Sequence, residues 1–206
     1  MTISYPFNDA LLLTPKPSRM TLRYLTLSTI SQSPFTGQIQ AIKNPAAGLF
    51  GISLAFPPMS LTNAAKWVPL FNSLYGSFGS ILLPMYGRES IAGSGAGTPV
   101  VDGDDQTGTT LSIKGMTPLA SGVFTAFDLI NIGSNLYEVV RDVDADSSGE
   151  GSIELWPSLR ASPSDEDTIL TSSVTGVFRQ KPDFEFDVDL NSAFHYGFGW
   201  DGVEAV

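Results

Sequence analysis

Short stretches of alternating apolar and polar residues dominate this chain, and they predict β-strands separated by turns. Residues 20–28, MTLRYLTLS, set Leu22, Tyr24 and, less regularly, Leu27 on a shared face. TGQIQAI (36–42) and GLFGISLAF (48–56) follow, the second almost continuously apolar, as a strand buried on both faces would be. The period then changes. After Pro57 and Pro58, Ser60 is placed as an N-cap, and Ala64, Val68, Phe71 and Tyr75 make one helical stripe closed by Gly76. Pro69 falls inside that stripe and predicts a kink, because its ring and missing N–H disturb the helical hydrogen-bond ladder. FGSILLP (78–84) returns to strand character.

Composition shifts at SIAGSGAGT (90–98), which has the marks of a flexible link and of a domain boundary. Beyond it TPVV, TTLSIKGM, FDLINI, LYEVVRDV and SIELW are short strand candidates joined by polar turns, a set that suits a small OB-like barrel. The acidic loop SPSDEDT (162–168) ends that unit. VTGVFRQ, FEFDVDL and FHYGFGW then resume alternation, too few residues to fold alone, so they are expected to complete the sheet begun before Ser90. The expected fold is mainly β: a β-sandwich-like domain with one helix (1–90 and 171–206), interrupted by an inserted OB-like barrel (91–170).

A chain of 206 residues, 42% hydrophobic, with 20 Gly and 14 Pro, fits a folded protein of many turns. No apolar run approaches a membrane span, and the N-terminal MTISYPFNDALLL lacks the basic region and small-residue cleavage site of a leader, so a soluble protein without membrane insertion is expected. The absence of cysteine excludes disulfides, thiolate metal sites and Cys nucleophiles. His195 is the only histidine, which excludes zinc sites with two or more histidines, and its place among aromatics in FHYGFGW favours a structural or surface role. Charge is uneven: residues 1–100 hold six Lys/Arg against two Asp/Glu, residues 101–206 five against nineteen. No basic stripe is present, which argues against sequence-specific nucleic-acid binding.

Three stretches invite chemical readings. In DVDADSSGE (142–150), Asp144, Asp146, Ser148, Gly149 and Glu150 occupy positions 1, 3, 5, 6 and 7 of a calcium-binding loop, but position 12 is Leu155 instead of the bidentate Glu, and the flanks have strand character. A hairpin connection is the expectation. GSGAG (93–97) lacks the Lys and Ser/Thr of a phosphate loop and opens no helix. Asp102, Asp104 and Asp105 in VDGDDQTG suit a solvated turn. No catalytic, metal or cofactor residue is expected, and the protein is not expected to be an enzyme.

Taken in order, SPFTG (33–37), LAFPPMS with a helix ending LYG, SILLPMYG (80–87), GDDQTGTTLSIKGM, FDLINIGSNLYEVV, IELWPSLR (153–160) and the closing GVEAV resemble distal tail proteins of long, non-contractile-tailed bacteriophages. The resemblance implies a virion structural protein at the tail tip: a hexameric ring that joins the tail tube protein to the tail hub protein and leaves a channel for DNA. In such a ring, extended segments such as Ala10 to Lys16 would pair between neighbours. Asp183, Glu185, Asp187 and Asp189 alternate with Phe184, Phe186 and Val188 and are a possible luminal acidic face, an ordinary solvated outer face being equally compatible with the pattern. The alternative function is a carbohydrate-binding module, in which Trp156, Trp200 and Tyr137 would stack on cell-surface polysaccharide.

Overall fold

The computed structural model describes residues 5–8, 13–26, 28–43 and 48–206. Of the segment from Ala10 to Lys16, Ala10, Leu11 and Leu12 lie outside the described residues. Among the described residues strands far outnumber helix, of which there is one, so the protein is mainly β, as the alternation predicts. The chain divides into two compact units, one built from Met1–Arg23, Phe50–Gly87 and Thr175–Val206, the other from Tyr24–Leu49 and Arg88–Val174. This division differs from the one read from sequence in residues 24–49, which group with the later unit.

The first unit is built around a sheet whose strands run in the spatial order β1 (Arg19–Leu25, whose last two residues, Tyr24 and Leu25, group with the second unit), β4 (Leu49–Ala55), β14 (Tyr196–Glu204), β12 (Thr175–Gln180), β5 (Ser80–Pro84), with β13 (Val188–Leu190) paired to β14. The C-terminal strands therefore lie between β4 and β5, and the segment after Val174 completes the sheet started in the first ninety residues. In β4, Phe50, Ile52 and Leu54 are buried on one face, but on the other Leu49 and Ser53 are half-buried and Ala55 is exposed, so the strand is not buried on both faces as its unbroken apolar run predicts. Helix α1 (Leu61–Asn72) supplies an aromatic stack for this core: the Trp67 ring lies 5.8 Å from Phe71, and Phe71 5.2 Å from Trp200, both pairs stacked. Each such pair adds ~0.5–1.5 kcal/mol beyond area burial. Gly202 makes room for this stack, since a Cβ there would sit 2.4 Å from the Trp200 ring.

The helix starts after Ser60 as expected, although Ser60 makes no side-chain cap bond, and it runs through Pro69 to Asn72. Its buried face is Ala64, Trp67, Leu70 and Phe71, continued by Leu74, and not the stripe through Val68 and Tyr75. Tyr75 is 71% exposed, with φ of 51°. The two stripes differ by one position; the larger Trp67 takes the core, and its indole N–H donates to the Pro15 carbonyl at 3.0 Å. No helix among the described residues is long and apolar enough to cross a membrane.

The second unit is a nearly closed, six-stranded barrel in the order β11 (Ile169–Leu170), β8 (Leu129–Ile132), β9 (Asn135–Val139), β10 (Gly151–Trp156), β7 (Thr110–Met116), β6 (Gly97–Val101). A bridge between Val100 and Thr168 joins the two ends. The five strands foreseen are present, and β11 is an addition the sequence pattern did not reveal. Inward alternation of Leu111 and Ile113 on β7, Val139 on β9 and Ile153 and Leu155 on β10 fills the barrel. The same unit contains a two-stranded hairpin, β2 (Ser28–Gln32) and β3 (Ile39–Lys43).

The Gly/Ser/Ala stretch is not a free link. Asp128, 5% exposed, accepts hydrogen bonds from the amides of Ala92 (2.6 Å) and Gly93 (3.2 Å), while Ser94 and Gly95 donate to the carbonyls of Gly122 and Val123. A Cβ on Gly93 would lie 2.5 Å from the Val123 oxygen. Glycine is required here for close backbone approach, and the same composition that suggested flexibility serves packing.

Candidate functional site

The acidic segment read from sequence is exposed throughout: Asp183, Glu185, Asp187 and Asp189 all face solvent in this chain. Only Asp189 belongs to a strand, β13; Asp183 sits in a turn with φ of 64°, and the residues between them are irregular. Phe184 and Phe186 are partly buried, Phe186 against Phe71 and Phe198 at ring-centre distances of 5.5 and 5.9 Å. Val188 departs from the expected pattern. It is 40% exposed, and β13 is exposed along its length, a three-residue strand paired with the start of β14. His195 is exposed, in the turn leading into β14, where its amide donates to the Asn191 side chain at 2.9 Å.

Of the three aromatics suited by residue type to stack on sugar, two are buried. Trp200 is fully buried in the first unit, and Tyr137, 1% exposed, fills the barrel core while its hydroxyl accepts the Arg160 amide at 2.9 Å. Trp156 is different: it is half-buried and lines an open groove of about 560 Å³ together with Tyr24, Ala126, Phe127, Glu138, Val139 and Val140.

The groove is built from strand pairing. Trp156 and Glu138 are direct partners of β10 and β9, so their side chains leave the same face of the ladder. Glu138 Oε2 accepts the Tyr24 hydroxyl at 2.5 Å and Arg88 Nη2 at 3.0 Å. The Tyr24 ring meets Trp156 edge-on at 4.9 Å. Arg88 also donates to the Phe127 carbonyl and places its guanidinium 3.5 Å from the centre of the Phe127 ring. Phe127 is held in a left-handed conformation, φ 78°, and is 59% exposed. Burial, and then the Glu138 carboxylate beside it, push the Tyr24 hydroxyl above its ordinary pKa. Sequence reading missed Tyr24, Arg88, Phe127 and Glu138 here because they come from four separate segments.

The calcium-like loop connects β9 to β10, as a hairpin connection should, and its carboxylates serve backbone amides. Asp142 accepts from Ala126 at 2.7 Å, Asp144 from Gly122 at 2.6 Å, and Asp146 from Ser148 and Glu150 at 2.7 and 2.9 Å. The Glu150 and Ser148 amides hold the Asp146 carboxyl below its usual pKa. Among the described residues, no group of three or more His, Cys, Asp or Glu is placed to hold a metal ion. Asp104 likewise accepts the Asp165 amide at 2.7 Å, whereas Asp102 forms an ion pair with Lys114 at 3.6 Å. Asp105 occupies a turn with φ of 59°.

Comparison with protein-family models matches none of them to this chain, and comparison with curated proteins finds no match.

Proposed function

We propose that this chain is a structural virion protein, a distal tail protein that assembles as a six-fold ring at the tip of a long non-contractile phage tail, between tube and hub. The ordered resemblance described above motivates the reading. The observation that supports it best is the β2–β3 hairpin, with Ile30 64%, Phe35 95%, Ile39 65% and Ile42 54% exposed. Its register, Ile30 opposite Ala41 and Gln32 opposite Ile39, puts Ile30 and Ile39 on one face, while Ile42, opposite Thr29, is on the other. A two-stranded hairpin is marginal in water by itself, and one that shows apolar side chains on both faces has surface to bury against a neighbour.

In a cyclic assembly each copy gives this hairpin to the next, and the rotation closes the ring. The function is then geometric, with no reaction to catalyse. Acidic residues that face the channel weaken phosphate adhesion over about 8 Å, the Debye length at physiological salt, and Asp183, Glu185, Asp187 and Asp189 are the proposed luminal set. The test is the double substitution Ile30→Ser with Ile39→Ser. Both residues are exposed in the single chain, so the circular dichroism spectrum should be unchanged while the six-fold species is lost in light scattering. An unchanged assembly removes the hairpin from the account.

A further inference from the structure

We propose that the groove lined by Tyr24, Phe127, Glu138 and Trp156 is a binding site for a neutral oligosaccharide. This inference does not depend on the ring reading. Sugar rings are recognised by two features together: flat aromatic surfaces for their C–H faces, and fixed polar groups for their hydroxyls. The groove has both. Phe127 and Tyr24 are exposed by 59% and 42%, and Trp156 completes the apolar wall. The Glu138 carboxylate lines the groove, is only 13% exposed and is held in place at Oε2 by Tyr24 and Arg88, which makes it a fixed acceptor for sugar hydroxyls.

Charge and backbone decide among occupants. Glu138 and Arg88 neutralise one another, and the unit that carries the groove holds five Lys/Arg against fourteen Asp/Glu, which disfavours nucleic acid, anionic lipid and anionic polysaccharide. A peptide that adds as a strand needs a free edge. At this place β9 is paired with β8 and β10, the Phe127 amide donates to the Val139 carbonyl at 2.8 Å, and the Val140 amide donates to the Glu154 carbonyl at 2.8 Å. Recognition therefore falls to side chains. The backbone at Phe127 is left-handed, and strain of that kind concentrates at ligand clamps.

The experiment titrates the full-length protein with maltohexaose, cellohexaose and chitohexaose, following tryptophan fluorescence and calorimetry. Trp67 and Trp200 are fully buried, so a ligand-induced change reports Trp156. At least one of the three sugars should give a saturable change, weakened about tenfold or more by Phe127→Ala and by Glu138→Gln, with unfolding midpoints near the wild type for the exposed Phe127 substitution. Failure of all three sugars to bind overturns the proposal. So does binding that both variants leave intact. If no sugar binds and Phe127→Ala instead changes the assembly mass, the groove is a contact between copies and the proposal falls.

Discussion

Replacing Asp128 by alanine tests whether the Gly/Ser/Ala stretch is part of the barrel. The carboxylate accepts four hydrogen bonds: from the amides of Ala92 (2.6 Å), Gly93 (3.2 Å) and Thr125 (2.8 Å) and from the Thr125 hydroxyl (3.1 Å). Ala92 is exposed, so its amide passes to water and its loss counts only the net ~1 kcal/mol of an ordinary hydrogen bond. Gly93 and Thr125 are half-buried, and each amide left unpaired costs ~1–3 kcal/mol. The hydroxyl can rotate to another acceptor. Water that enters the vacated space relieves part of the total, and a loss of about 3 kcal/mol is expected. Urea unfolding of the full-length protein measures it, and hydrogen exchange of the amides from residue 92 to 95 localises it: protected in the wild type, released in the variant. A loss below about 1 kcal/mol, with these amides already exchanging freely in the wild type, would mean that the stretch is a link after all.

Two further outcomes concern the loop at residues 142–150. Because its neighbours' amides depress the Asp146 pKa, the stabilisation it gives is present above the ordinary carboxylate pKa and is lost as pH falls through the lower folded value; Asp146→Asn should flatten this acid limb in pH-dependent unfolding, and an unaltered limb would contradict it. Calorimetry should show no calcium-selective isotherm, since Asp142, Asp144 and Asp146 are engaged by amides and Leu155 stands at the twelfth position. A micromolar, calcium-selective isotherm abolished by Asp144→Ala would reinstate the metal site.

What could be read from sequence follows the physics of each element. Strands announce themselves by alternation, so β7, β9 and β10 and the return of the C-terminal segment to the first sheet were legible. The helix was legible as a helix but not in its facing, because stripes through Trp67 and Leu74 or through Val68 and Tyr75 fit the same period. Glycine at Gly93 signals either freedom or close approach, and only the neighbouring Val123 carbonyl distinguishes the two. The exposure of Val188 was hidden because alternation tells sides apart without saying whether the inner side is covered. The groove was the least legible of all: Glu138 and Trp156 look like ordinary strand residues until pairing sets them side by side, and Arg88 and Phe127 arrive from distant turns.

Whether the chain assembles as a six-fold ring is read by mass photometry of the purified protein over a range of concentrations. A discrete species at six chain masses is expected, in equilibrium with the single chain and at the expense of other multiples. A single chain at every concentration, or a ladder of open multiples without a six-fold maximum, would contradict it.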